Sequence, residues 1–261
     1  MTRKDYATDL TDDQWALLAP LLPDAKPGGR PRSVDLREIT NAILYVLRTG
    51  CPWRHLPHDL PPWGTVWSYF RHWRDDGTLD RLHDEFRDKA RRAADRDPQP
   101  SAGCLDSQSV KTAEKGGPGG YDAGKKIQGR KRHLVVDTLG LMQGLVVHPA
   151  NIQDRVGAKQ VLAPLFAHQP RLQRVWADGG YTGQLEQWVA EQGRTLEIVA
   201  KNPEAKGFQV LPKRWIVERT FAWLGTCRRL SKDDEQTIPS SEAMIRWAMV
   251  GLMIRRLASA S

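Results

Sequence analysis

The amino-acid sequence predicts an α/β protein in which a mixed sheet flanked by helices follows an all-α N-terminal domain. Apolar residues recur with helical spacing through the first hundred residues, whereas short apolar runs alternate with helical segments through the remainder. Between these parts, the stretch "DRDPQPSAG" has the proline and polar content of a linker. These observations predict two domains, residues 1–97 and residues 98–261.

Four helices are predicted in the first domain. Thr11 and Gln14 have the spacing of a capping box, and the apolar stripe behind them predicts a short first helix. The segment "SVDLREITNAILYVLRTG" places apolar residues on one face and ends at Gly50, which predicts the second helix. The third helix is predicted in "WGTVWSYFRHWRDDG", and the fourth runs from about Leu79 to Ala94.

The third helix has a basic and aromatic composition that resembles the DNA-reading helix of a helix-turn-helix. Its polar face is predicted to contact DNA through Ser68, Arg71, His72 and Arg74. The connection between the second and third helices, residues 51–62, is longer than the turn of a helix-turn-helix, which has about three or four residues. We therefore expect a looser variant of that motif. The alternative is that the tryptophans of this region only form the core of an ordinary helical domain.

The second domain is predicted to begin with the strand "GCLDSQSVK" and a hairpin, "RHLVVDTLGLMQGLVVHPA". A helix near "DRVGAKQVLAPLFA", the strand "RVWA", a helix over about 183–192 and the strand "LEIVA" follow. Two long helices, in "KRWIVERTFAWLGTCRRL" and "SEAMIRWAMVGLMIRRLA", complete the prediction. Strands first and a strand-helix alternation afterwards favour a mixed sheet covered by helices.

The positive charge of the chain is unevenly distributed. Residues 1–100 contain 16 Lys and Arg against 16 Asp and Glu, whereas the remaining 161 residues contain 23 against 15, which accounts for the net charge of +8. An excess of positive charge in the second domain indicates a polyanionic partner such as nucleic acid. The alternative is a basic surface that has no such partner.

Composition argues against several other classes of protein. No run approaches the roughly 18 apolar residues of a membrane span, and the first residues lack the apolar core of a secretory signal. We therefore expect a cytoplasmic protein without membrane contact. The three cysteines, Cys51, Cys104 and Cys227, lie far apart, which argues against disulfides and a zinc site.

Three acidic residues stand out because a charge inside an apolar segment is costly unless it is paired or metal-bound. Asp106 lies in the middle of the first predicted strand of the second domain, and Asp178 ends a later strand beside two glycines. Glu218 lies on the long predicted helix, one turn after Arg214. Taken singly, each has a favoured structural explanation: a salt bridge, a helix cap and an (i, i+4) ion pair.

Together, a strand Asp, a strand-end Asp and a helix Glu form an arrangement suited to two divalent metal ions. Displacement at a phosphodiester needs one metal to activate the attacking oxygen and one to stabilise the leaving oxygen, about 4 Å apart. Mg²⁺ prefers carboxylate oxygens and keeps several waters, so three acidic side chains suffice. We expect Asp106 to bridge both ions and Asp178 and Glu218 to hold one each, with Mn²⁺ as a substitute for Mg²⁺.

The sequence resembles single-reading-frame bacterial insertion-sequence transposases of the DDE class over nearly its full length. In the first domain, "LTDDQWALLAPLLP", "GRPR", "NAILYVLRTGCPWRHLP" and "WGTVWSYFRHW" are similar to the helical DNA-binding region of that family. In the second domain, "LDSQSVKT", "ADGGYTG" and "RWIVERTFAWLGTCRRLSKD" carry the Asp, Asp and Glu. The resemblance implies a ribonuclease H-like second domain in which Asp106, Asp178 and Glu218 are the catalytic, metal-binding residues.

Around the glutamate, many members of this family share a signature of Tyr, Arg, Glu and Lys. Arg214 and Glu218 match its Arg and Glu, whereas Leu211 and Gly225 stand at its Tyr and Lys positions. The basic group that steadies the flanking DNA is therefore expected from neighbouring arginines. Only 40 residues separate Asp178 from Glu218, which leaves no room for the β-rich subdomain that some relatives insert there.

The stretch from Lys111 to Arg132 contains seven Lys and Arg, two acidic residues and six glycines, which predicts a mobile basic loop beside Asp106. Such a loop is expected to close on phosphates, and the alternative is a surface loop without a ligand. Asp137 and Asp154 are predicted to be turn and cap residues. The candidate DNA contacts of this domain are Lys111, Lys125, Lys126, Arg130, Lys131, Arg132, Arg214, Arg228, Arg229 and Lys232.

The resemblance implies that metal-activated water cuts at the element ends and that the freed 3′-hydroxyls attack target DNA. The expected partners are double-stranded DNA, as terminal inverted repeats and target, and at least a second copy of the chain. The expected location is the bacterial cytoplasm, in association with the nucleoid. The alternatives are a metal-dependent endonuclease without strand transfer and an inactive, transposase-derived DNA-binding protein.

Overall fold

The computed structural model describes residues 3–25, 28, 32–113, 116–199 and 213–259. Within these residues the chain forms eight α-helices and six β-strands, which confirms the predicted mixed α/β class with a helical N-terminal region. Leu211 and residues 29–31 of the "GRPR" motif lie outside the described residues.

The N-terminal region contains four helices close to where periodicity predicts them. Thr11 and Gln14 form the predicted capping box at the start of the first helix, and the side chain of Asp35 caps the second. Gly50 ends the second helix with a φ of 74°, a conformation that favours glycine. The helices are α1 (Asp12–Leu18), α2 (Leu36–Thr49), α3 (Trp63–Asp75) and α4 (Thr78–Arg92).

One six-stranded mixed sheet forms the centre of the second part. Its strands are β1 (Ala102–Lys111), β2 (Gly120–Asp122), β3 (Ile127–Val136), β4 (Met142–Pro149), β5 (Arg174–Ala177) and β6 (Thr195–Ile198). The strands β3, β1, β5 and β6 are successive neighbours, and both β2 and β4 pair with β3. Strand β3 is antiparallel to both β1 and β4, whereas β5 runs parallel to β1 and β6 runs parallel to β5. This is the strand arrangement expected of a ribonuclease H-like domain.

Helices cover both faces of the sheet because residues along its central strands alternate between two apolar clusters. Leu105 and Val135 belong to the cluster that includes side chains of α5 and α6. Cys104 and Val136 belong to the cluster that includes side chains of α7 and α8. These helices are α5 (Asp154–His168), α6 (Gln184–Glu191), α7 (Arg214–Gly225) and α8 (Ile238–Ala258).

The last helix joins the two parts of the molecule. Trp247 of α8 is fully buried, and its ring lies 5.8 Å from that of Trp73 on α3. A single apolar cluster extends from α1 through the helical region to α7 and α8. The helical region is therefore packed against the C-terminal helix and shares its core. In the part of the chain that the structure describes, no helix has both the length and the apolar character that crossing a membrane requires.

Two details differ from the sequence predictions. The basic stretch after β1 was expected to be a mobile loop, but residues 120–122 and 127–136 form strands β2 and β3 of the sheet. The prediction failed there because the first half of β3 is polar, and its Arg130 is bonded to Asp233, 103 positions away. The helix that carries Glu218 ends at Gly225, and a short 3-10 helix, Arg228–Leu230, follows it.

Candidate active site

Asp106 and Asp178 lie level with each other on neighbouring strands. Strands β1 and β5 run parallel, and Cys104 pairs with Trp176. Two residues further along each strand, Asp106 remains within the longer β1 while Asp178 has just left β5. The sheet therefore presents both carboxylates at the carboxyl end of β5, where parallel strands commonly place functional groups.

Backbone amides orient both of these carboxylates. The N–H of Ser107 donates to Asp106 Oδ1 at 2.7 Å. The N–H of Gly180 donates to Asp178 Oδ1 at 2.8 Å, so Asp178 caps the short 3-10 helix Gly179–Tyr181. Each bond uses one carboxylate oxygen and leaves the other oxygen available for a further partner.

Glu218 approaches from α7, the helix that packs against β1 and β3. Arg214, one turn earlier, lies between Glu218 and Asp178. Its Nη2 is 3.4 Å from Asp178 Oδ2, and its Nε is 3.3 Å from Glu218 Oε1. The structure thus links two of the three predicted acids through one guanidinium.

The contact between Arg214 and Glu218 is an ion pair without a hydrogen bond. The Nε atom is within ion-pair distance of the carboxylate, yet its N–H has no acceptor of suitable geometry among the described residues. The Glu218 side chain is 50% exposed and that of Asp178 is 28% exposed. Water screens such contacts, so Arg214 holds both acids loosely.

Asp106 is the most electrostatically perturbed of the three acids. Burial raises the pKa of its carboxyl group to about 6, with a smaller contribution from the charge of Asp178, while the Ser107 amide, Arg214 and Lys125 act in the opposite direction. A buried carboxyl group whose ionisation is disfavoured is one that a bound cation stabilises in the charged form.

The chemistry of these three side chains suits a hard divalent cation, because all three offer carboxylate oxygens. Among the described residues, however, no three His, Cys, Asp or Glu side chains converge closely enough to hold a metal ion together. Arg214 lies between Asp178 and Glu218, where its positive charge would repel a metal ion. A metal ion at all three acids therefore requires the flexible side chains of Arg214 and Glu218 to move.

A buried polar network supports β1 beneath Asp106. The hydroxyl of Ser107 donates to Asp154 at 2.9 Å, and Lys131 Nζ lies 3.0 Å from the same carboxylate. Burial acts to raise the pKa of Asp154, but the neighbouring His133, Lys131 and Ser107 outweigh it and hold that pKa well below its usual range. Asp154 was predicted to be a cap residue, but Gln153 occupies the cap position and Asp154 is the first residue of α5. Polar residues of neighbouring strands meet here, and a single sequence carries no local signal for that.

Two of the predicted DNA contacts lie near the three acids. Lys125 Nζ donates to the carbonyl of Ser107 at 3.1 Å, and its charge lowers the pKa of Asp106. Arg214 forms the ion pairs described above. Several other candidates have exposed side chains in the helical region or beyond the acids: Ser68, Arg71, His72, Lys111, Lys126, Arg228 and Lys232.

The structure corrects the predicted role of three basic residues of β3. Arg130 and Arg132 have exposures of 0% and 1%, and Lys131 is also buried. Arg130 is bonded to Asp233 at 3.0 Å and to four backbone carbonyls of the chain besides. These side chains have no surface with which to contact a phosphate, because internal acceptors occupy them.

Two further basic candidates are also engaged within the protein. Arg229 is buried and donates to Glu235 at 2.8 Å, so it is unavailable to DNA in this conformation. Arg74 donates to the carboxylate of Asp75 and to the hydroxyl of Ser240. Asp137, in contrast, is the predicted turn residue: its carboxylate accepts from the amides of the β3–β4 turn and pairs with Arg91.

Comparisons with protein families match both parts of the chain. A family described as "Putative transposase of IS4/5 family" matches residues 10–83. A family described as "Transposase DDE domain" matches residues 97–251, which is more than half of the chain and includes all three acids.

Individual bacterial proteins match parts of the chain. One relative is an "Insertion element IS402 uncharacterized 16.2 kDa protein" from Burkholderia cepacia, with 36% identity. The match covers 41% of this chain and 76% of the relative. A second relative is the "Putative transposase for insertion sequence element IS402" from the same organism, with 32% identity. The match covers 39% of this chain and 52% of the relative. A third relative, protein y4sN of Sinorhizobium fredii, is 32% identical over 28% of the chain and 58% of its own length. The chain thus spans about half of the length of the second and third relatives.

Proposed function

Since the chain belongs to the family of transposases that carry a DDE domain, we propose that it binds insertion-sequence ends, cleaves them and joins the freed 3′-hydroxyls to target DNA. The observation that carries this proposal is the placement of Asp106 and Asp178 at one level of neighbouring parallel strands, with Glu218 on the helix packed beside them. No covalent intermediate with the protein and no nucleotide cofactor is required.

In this proposal Asp106, Asp178 and Glu218 hold divalent cations, Mg²⁺ or Mn²⁺. Such cations would activate the attacking oxygen and stabilise the leaving oxygen. The protein's own contribution is positional: backbone amides fix the carboxylates of Asp106 and Asp178, and the network beneath Ser107 fixes the strand. Lys125 adds a positive charge beside Asp106 that suits a DNA phosphate.

The two parts of the chain would divide the work. Residues 1–97 would recognise DNA through the exposed face of α3, which carries Ser68, Arg71 and His72, and residues 98–261 would cut and join it. The exposed Arg228 and Lys232 would hold the backbone of DNA near α7. Because two ends must be joined together, we expect at least a dimer on DNA. Its substrate would place the protein with the bacterial nucleoid in the cytoplasm.

The proposal is tested by incubating the protein with labelled DNA that carries the inverted repeats flanking its gene, a target plasmid and Mg²⁺ or Mn²⁺. Joined products support a transposase, and nicks without joining support an endonuclease. Binding without cleavage would identify a DNA-binding protein derived from a transposase, and would contradict the catalytic role.

A matched pair of variants tests the site itself. Glu218→Gln should abolish cleavage while DNA binding persists. Glu197→Gln is the control, because Glu197 is also a 50% exposed carboxylate that lies beside an arginine, Arg174, at 3.6 Å. Equal activity of the two variants would show that Glu218 is not a catalytic residue.

A further inference from the structure

A groove lined by three tryptophans lies between α3 and the segment that follows α7. Trp53, Trp63 and Trp67 contribute indole rings to it, and residues 234–237 form part of the opposite wall. The volume of this tryptophan groove is about 900 Å³. It is separate from Asp106, Asp178 and Glu218, none of which lines it.

The rings of the groove are held in place from behind. Trp53 lies 5.1 Å from both Trp67 and Phe70, and Trp67 stacks on Phe70 at 5.4 Å. Phe70 is fully buried and anchors this cluster in the core of the helical region. Trp63, at the start of α3, remains 40% exposed, which is unusual for so large an apolar side chain. The groove therefore combines a rigid aromatic floor with an exposed indole.

The groove also has an excess of positive charge. Four arginines and two acidic residues line it, which gives a net charge of +2. Arg74 and Arg229 are engaged with Asp75 and Glu235. Arg54 and Arg71 differ from them, since neither makes a hydrogen bond or ion pair within the described residues, and the guanidinium of Arg54 lies 5.1 Å from the ring of Trp63.

We propose that the tryptophan groove binds an unpaired nucleobase of a DNA duplex that lies on α3. Every base has a flat face that stacks on an indole, and a groove of aromatic rings with arginines beside it binds bases with their phosphates. Arg71 belongs both to the exposed face of α3 and to the groove, so one strand can pass from the duplex to the indoles. The inference rests on the proposed DNA-binding function but not on the catalytic role of the three acids.

The test uses a short duplex that contains one unpaired fluorescent adenine analogue, the same duplex fully paired, and the single strand alone. The protein should bind the duplex with the unpaired base more tightly than the paired duplex and quench its fluorescence. Trp63→Ala should weaken binding of the unpaired-base duplex roughly 5- to 100-fold and leave the paired duplex nearly unaffected. Trp63→Phe should retain part of the preference, because a smaller ring still stacks.

The control variant is Trp188→Ala. Trp188 also has a cation over its ring, Lys159 at 5.6 Å, but it lies on α6 and outside the groove. It should bind all three probes as the unchanged protein does. Equal losses for paired and unpaired duplexes in Trp63→Ala would overturn the proposal, as would tighter binding of the single strand than of the duplex with the unpaired base. If the unchanged protein bound no DNA at all, the proposed function would fail as well. If it bound DNA but did not distinguish the duplex with the unpaired base from the paired duplex, only this inference would be wrong.

Discussion

Two of the clusters of arginine and carboxylate side chains in this molecule are built differently. The interior cluster consists of Arg130 with Asp233 and Arg229 with Glu235, all of them buried and joined by hydrogen bonds of 2.8 to 3.0 Å. The site cluster consists of Arg214 between Asp178 and Glu218, at 3.3 to 3.4 Å and partly exposed.

The difference lies in how completely each charge is satisfied. Asp233 also accepts from the hydroxyl of Ser241 and from the amide of Glu235, so the interior cluster ties β3 to the segment after α7 and to α8. In the site cluster, the N–H at Arg214 Nε has no acceptor of suitable geometry among the described residues. Similar residue types therefore form a fully hydrogen-bonded structural contact in the interior cluster and a weaker contact, open to other partners, in the site cluster. Substitutions that remove one partner should separate the two clusters.

The largest expected effect is on stability, from Asp233→Ala. Removing this carboxylate leaves the guanidinium of Arg130 buried without its counter-charge, which should lower the free energy of unfolding by about 3–5 kcal/mol. Urea unfolding followed by circular dichroism measures it. Asp234→Ala is the control, because the adjacent carboxylate forms no ion pair among the described residues, and it should change stability by less than about 0.5 kcal/mol. Equal effects of the two changes would remove the distinction between the clusters.

The second effect is on activity, from Asp178→Asn. Loss of a proposed metal ligand should reduce the rate of cleavage by more than about 100-fold. Removing a residue that only hydrogen-bonds to a metal ligand already lowers metal affinity or activity by roughly 10- to 100-fold. Stability should hardly change, because Asp178 is partly exposed and its ion pair is loose. Cleavage of end DNA and urea unfolding of the same preparation test both statements. A variant that cuts normally, or one that unfolds as easily as Asp233→Ala, would contradict the comparison.

The third effect concerns Asp106→Asn. The folded protein keeps the Asp106 proton up to about pH 6, whereas an ordinary aspartic acid releases it near 3.8. The free energy of unfolding therefore falls as the pH rises through that window, and ionised Asp106 costs about 3 kcal/mol at neutral pH. Without metal, Asp106→Asn should be more stable than the unchanged protein at pH 7 and equally stable near pH 4, while its cleavage activity is lost. Urea unfolding with a chelator at both pH values measures it; a variant that is less stable at pH 7 would refute the prediction.

The smallest effect is expected from Arg214→Ala. An exposed ion pair contributes about 0.2–1 kcal/mol, so stability should fall only by that amount. Because the charge of Arg214 lowers the pKa of Asp106, that pKa should rise in the variant, which nuclear magnetic resonance titration of the carboxyl groups would detect. Arg229→Ala, its counterpart in the interior cluster, should cost several times more. Comparable losses from both substitutions would show that the site cluster is as structural as the interior one.

The sequence alone predicts the elements of this fold well wherever the signal is local. Apolar periodicity and caps such as Thr11 and Gly50 predict helices that the structure confirms, because those contacts lie within a few residues of each other. The role of Arg130 was not predictable in this way. Its partner Asp233 is 103 positions away, and the local pattern of glycines and basic residues is the same for a mobile loop and for a strand with a buried guanidinium.

The candidate site shows the same division. The sequence predicts that Asp106 lies within a strand, Asp178 at the end of a strand and Glu218 on a helix. The register of β1 and β5 places the two aspartates beside each other. The contact of Arg214 with Asp178 depends on how α7 packs on the sheet, which no periodicity records. The tryptophan groove likewise requires α3 and residues beyond position 228 to meet, and the individual tryptophans of the helical region show no sign of it.

The packing of α8 against the helical region has a consequence for protein engineering. A chimaera that exchanges the proposed DNA-binding part with that of a relative could be joined at the linker near residue 97. In this molecule such a chimaera would join foreign helices to a Trp247 surface shaped for Trp73 and its neighbours. A working exchange of the proposed DNA-binding surface therefore has to transplant α8 together with the first four helices, or to confine the changes to the exposed side chains of α3.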